Sequence, residues 1–79
     1  MANKPLFIRA DWDEKAGVWV TTSDDVPGLV TEAENLDDLI EKLKVIIPEL
    51  LEANGVSTEH EIPFEVFMRR FDVALQRAV

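Results

Sequence analysis

The sequence predicts an α+β fold: a two-layer β-β-β-α-β sandwich in which an antiparallel sheet carries one long helix on one face. Three observations predict it. Apolar and polar residues alternate from Leu6 to Asp13, and Val18 to Thr22 is rich in β-branched and aromatic residues. Between Leu36 and Leu51, apolar residues recur at three- and four-residue spacings. From Ile62 onward the alternation returns.

In the first segment Leu6, Ile8, Ala10 and Trp12 fall on one face, and Phe7, Arg9, Asp11 and Asp13 on the other. Glu14-Lys15-Ala16-Gly17 is a short polar break before the second strand, so the two strands are expected to form an antiparallel hairpin. Ser23 to Gly28 combines side chains that bond nearby backbone with a proline that fixes φ and a glycine free to take positive φ, which predicts a structured loop. Leu29 to Ala33 reads as a short third strand. Asn35 is placed to cap a helix whose first turn holds Asp37 and Asp38, where the helix dipole favours negative charge. Pro48 interrupts the stripe without shifting its phase, which predicts a kink or two abutting helices, and Asn54-Gly55 supplies a left-handed stop. The segment from Pro63 to Val73 is read as the fourth strand, although Phe64, Phe67, Phe71, Ala74, Leu75 and Ala78 also fit a helical period. Both periods fit residues 66–79, and the tail from Ala74 to Val79 is expected to fray or turn helical.

Seventy-nine residues allow one domain, with its core over about residues 4–73. Sixteen acidic residues against eight basic ones give a net charge of -8, which disfavours an independent footprint on nucleic acid. With no cysteine and a single histidine, disulfides, thiolate metal sites and cysteine nucleophiles are excluded, and no cofactor is expected. No stretch approaches the roughly 18 uncharged residues needed to span a bilayer. The protein is expected to be soluble and cytoplasmic.

One helix covers one face of a sheet. If Leu6, Ile8, Val18, Val20, Phe64 and Val66 face the helix, alternation sends Phe7, Trp19, Phe67 and Phe71 to the uncovered side. Domains this small commonly need a staple, and association is the device this composition leaves. Those four aromatics are therefore the expected contact for a homo-oligomer, a dimer or tetramer, or for another partner. The plainer reading is that Arg9, Arg69 and Arg70 shield them with their aliphatic stems.

Other chemistry is thinner. Asp11, Asp13 and Asp24 are the acids a degenerate metal-dependent nuclease would use, but hard-cation sites need carboxylates aimed at one point. His60 sits between two glutamates with no serine or cysteine motif to serve. The glycines are isolated at turns, so no phosphate-cradling loop is present. An enzyme is not expected. A small-ligand module, with a groove between Pro27-Gly28 and the helix start, is the alternative binding role.

The ordered set Val18-Trp19-Val20, Asp24 to Leu29, Thr31-Glu32-Ala33 and Pro48 to Leu51 resembles the HicB antitoxin superfamily, and within it a small stand-alone branch of HicB-like domains. The resemblance spans about Leu6 to Gly55. It implies a partial ribonuclease-H-like fold without nuclease activity, and a role in neutralising a small, basic, RNA-cleaving toxin of the HicA type. In that role Asp24 and Asp25 would form an acidic loop that steers a basic partner to the surface. Too few residues follow Val73 for the DNA-binding domain that many HicB proteins carry, so autorepression is not expected.

Overall fold

The alternating first segment becomes strand β1, Leu6–Asp13, which turns back into β2, Val18–Thr22. The Asp13 side chain nucleates the turn: its Oδ1 accepts from the Lys15 and Ala16 amides at 3.0 and 3.1 Å, while its carbonyl accepts from the Gly17 amide at 2.8 Å. Strand β3 is only Thr31–Ala33, helix α1 runs Leu36–Ala53, and β4 is Phe64–Arg69. The structure, a computed structural model, describes residues 4–57 and 61–77. His60 and residues 78–79, on which the sequence raises expectations, lie outside the described residues.

The α+β sandwich and its element order are as the sequence predicts. The sheet order is β3-β2-β1-β4. β1 pairs antiparallel with β2, and β2 with β3, but β4 runs parallel to β1, so the sheet is mixed and not wholly antiparallel. The cause is the helix. α1 carries the chain from β3 across the sheet and delivers it to the far edge, so β4 starts from the same end as β3 and β1. β4 also ends at Arg69, earlier than the sequence suggests, and residues 70–77 follow without regular structure.

Asn35 caps α1 through its Oδ1, which accepts from the Asp38 amide at 2.8 Å. At the other end the Gly55 amide donates to the Glu52 carbonyl and Val56 to that of Leu51, with Gly55 at φ 73°, the left-handed stop the sequence predicts. Pro48 lies inside one continuous helix and does not divide it in two. It points outward, where the amide it lacks leaves only a solvent-side carbonyl unpaired.

Leu39, Leu43, Ile47 and Leu51 line the buried face of α1 and pack against Ile8, Ala10 and Ala33 of the sheet. The loop before β3 contributes too. Val26 is fully buried and Leu29 nearly so, on either side of a turn closed by the Leu29 amide and the Val26 carbonyl at 3.2 Å. Gly28, at φ 83°, occupies the third position of this turn, where positive φ is adopted at low strain only by glycine. Thr21, the one buried polar residue among those described, donates its hydroxyl to the Thr31 carbonyl at 3.1 Å. At the β3 edge, Lys42 Nζ donates to the Glu32 carbonyl at 2.6 Å.

Candidate interaction surface

Registers decide which side chains meet. Ala10 is opposite Thr21 and Trp12 opposite Trp19, while Asp11 is opposite Val20 and Asp13 opposite Val18. Directly paired residues share a face. Trp19 therefore lies on the helix side, packed against the core, and Val18 and Val20 lie on the open side, the reverse of the sequence expectation. The signal is present in the sequence: a four-residue break pairs residue 13 with 18, which fixes the parity of the whole second strand.

On the open face Phe7 and Phe67 do meet. Their rings form an edge-to-face pair with centroids 4.7 Å apart at 79°. They remain 43% and 52% exposed, so the pair is the apolar centre of this face. Phe71 keeps the parity that would place it there, but it follows the end of β4 and is 85% exposed, away from the sheet.

The acidic loop is fastened to the same place. β2 ends at Thr22, opposite Arg9, so the backbone of Phe7 has no strand neighbour on that side. Loop side chains take over: Asp25 Oδ2 accepts from the Phe7 amide at 2.8 Å, and Ser23 Oγ donates to the Phe7 carbonyl at 2.6 Å. The Asp25 amide donates in turn to Ser23 Oγ at 3.0 Å. Asp25 is thus a structural clamp, whereas Asp24 projects beside Phe7 at the rim of a hollow lined by Phe7, Arg9, Thr22, Ser23 and Asp24. At about 60 Å³ that hollow admits a side-chain tip and falls far short of a cofactor pocket.

The sequence places Ser23 in a loop, Trp12 on a strand face and Arg70 as a shield, but does not assign them these contacts. Trp12 and Trp19 pack with rings tilted at 60° and centroids 5.2 Å apart, Trp12 Nε1 donates to Glu14 at 2.9 Å, and the Arg70 guanidinium lies 4.5 Å over the Trp12 ring. The seven-residue spacing of the two tryptophans about a turn is the available clue.

Two expected arrangements are not formed. The Pro27-Gly28 turn packs on the end of α1, not its start: Asn54 Nδ2 donates to the Pro27 carbonyl at 3.2 Å, and a Cβ on Gly28 would meet Leu50 at 3.8 Å. The turn expected to border a ligand groove with the helix start lies against the helix end instead. Asp11, Asp13 and Asp24 do not converge, since Asp13 is committed to its own turn; no three acidic or histidine side chains among the described residues are placed to hold a metal ion. Among the described residues no helix is long and apolar enough to cross a membrane.

A four-stranded mixed sheet with one helix, open on its other face, defines a small α+β protein. Residues 5–76 match the family model of a domain of unknown function, DUF1902, and the chain belongs to that family. A solved relative is the crystal structure of hypothetical protein TTHA1013 from the extremely thermophilic bacterium Thermus thermophilus, with 48% identity over 92% of this chain and 100% of that chain, at a TM-score of 0.70. No curated protein matches.

Proposed function

We propose that this chain is a non-enzymatic, antitoxin-type interaction module whose open sheet face binds and inhibits a small basic RNA-cleaving protein. One observation carries the reading: an exposed aromatic pair and an acidic loop are held together by direct bonds from the loop to the backbone of Phe7. Aromatic anchors ringed by charge are how protein interfaces divide their work, the rings giving affinity and the charges speed of encounter. The resemblance to HicB domains names the partner class, and the acidity of the chain suits a surface that must compete with RNA.

The test uses the full chain and a HicA-like basic ribonuclease encoded in the same genome. The wild-type chain is expected to suppress cleavage of a labelled RNA at stoichiometric concentration. Phe67→Ala should weaken binding by about tenfold or more. Asp24→Asn should slow association at low salt and leave dissociation nearly unchanged. Cleavage that proceeds unaltered in the presence of excess wild-type chain would overturn the proposal.

A further inference from the structure

A chain of 79 residues folded compactly has a radius of gyration of about 12 Å. Here it is 15.7 Å, with extents of 60 × 27 × 20 Å. Beyond β4, every residue from Arg70 to Arg77 is exposed, and among the described residues no backbone hydrogen bond ties 71–77 to the body. Yet this segment reads as a strand. Phe71, Val73 and Leu75 are apolar at alternate positions, exposed by 85%, 61% and 89%. It also continues the line of β4. Asp11 is opposite Arg69, and Arg70 carries the register one step further by lying over Trp12. Arg70 and Asp72 then share a side, their charged groups 3.9 Å apart, so the alternation persists past the sheet.

β4 is an edge strand, with β1 on one side and, among the described residues, no strand on the other. It is unfinished on both faces. On the open side stand Phe7 and Phe67, and on the helix side a groove of about 210 Å³ runs between α1 and β4 past Leu43, Ile47, Ile62 and Phe64. An apolar strand without an edge and an edge without a strand thus occur in one chain.

We propose that residues 70–77 are an exchanged arm: each arm adds antiparallel to the outer edge of β4 in a second copy of this chain, about a two-fold axis near Arg70. Three observations select this occupant. The arm cannot reach its own edge without a tight reversal at 69–72, where Arg-Arg-Phe-Asp offers neither glycine nor asparagine for a hairpin turn, and the register through Arg70 is straight. The faces agree. With Arg70 at the axis, Val73 falls opposite Phe67, Phe71 opposite Arg69 and Leu75 opposite Glu65, all on the open side, which buries the arm's apolar residues beside the partner's Phe7–Phe67 pair. The charges agree too. Residues 70–77 hold two of the eight basic residues and one of the sixteen acidic ones, so an arm of formal charge +1 meets a body of −9, and Arg77 falls diagonally beside Glu65. Exchange of an identical element between two copies needs no new surface beyond the one each already carries. The arm borders the same Phe7–Phe67 pair that the proposed function gives to a basic partner, but the test below reads chain mass and disulfide register without that partner, so the two readings fail separately.

The chain has no cysteine, so paired engineered ones report register directly. Under oxidising conditions Glu65→Cys combined with Leu75→Cys is expected to form an interchain disulfide, giving a denatured band at twice the 9.0 kDa chain mass. Glu65→Cys with Ala74→Cys, on opposite faces, is expected to stay at single mass. Light scattering should give twice the chain mass for the wild type and a twofold loss for Val73→Glu with Leu75→Glu, whose circular dichroism should remain that of the wild type because both positions are exposed. A wild type of single mass at high micromolar concentration would overturn the proposal. So would an intrachain 65–75 disulfide, a preferred 65–74 disulfide, or a double-glutamate variant that keeps the doubled mass.

Discussion

The two faces of this sheet are built from the same strands and end in opposite states. On the helix side Ile8 and Ala10 are fully buried against Leu39 and Leu43, and the polar atoms that share the space are paired. On the open side the same strands present Phe7, Val18, Val20 and Phe67 among Arg9, Asp11 and Glu65, with the two phenylalanine rings paired and about half exposed. Stability is concentrated on the first face, and the second is available for contact because little of the fold depends on it.

The sharpest way to break that contrast is to truncate one large apolar residue on each side. Leu43→Ala, at a fully buried position, is expected to cost about 3–4 kcal/mol in urea unfolding, since the helix and sheet cannot close over the cavity. Gly28→Ala should cost about 1–2 kcal/mol, because the turn holding Val26 and Leu29 in the core needs φ 83°. Phe67→Ala, half exposed, should cost only about 0.5–1 kcal/mol, the worth of the edge-to-face pair, in the same assay. A loss at Phe67 as large as that at Leu43 would mean that the open face is covered during the measurement and that the contrast holds only for an isolated chain.

What the sequence discloses follows from how local each feature is. The hairpin, the Asn35 cap, the apolar stripe of α1 and the Gly55 stop are each determined by residues within a turn or two of one another, and all are legible. The parallel placement of β4 depends on where the helix delivers the chain, which no local pattern records. Trp19 falls on the face opposite to the expected one through a one-residue parity slip, and in a strand of five residues such a slip inverts every side chain. Of the surface residues, Phe7 and Phe67 come together as the alternation implies, Phe71 is carried past the sheet, and Asp24 and Asp25 divide their roles. That division depends on β2 stopping at Thr22 and leaving Phe7 without a neighbour, an event visible only when the strands are laid side by side.

The brevity of β3 bears on solubility. Three residues offer almost no ladder for a foreign strand to extend, and the Glu32 carbonyl on it already receives the Lys42 ammonium. A cation seated on an edge carbonyl must be displaced before any strand can add there, so this side of the sheet resists the stacking from which fibrils grow. A short, lysine-plugged margin makes this edge of the sheet a terminus for aggregation and not a template.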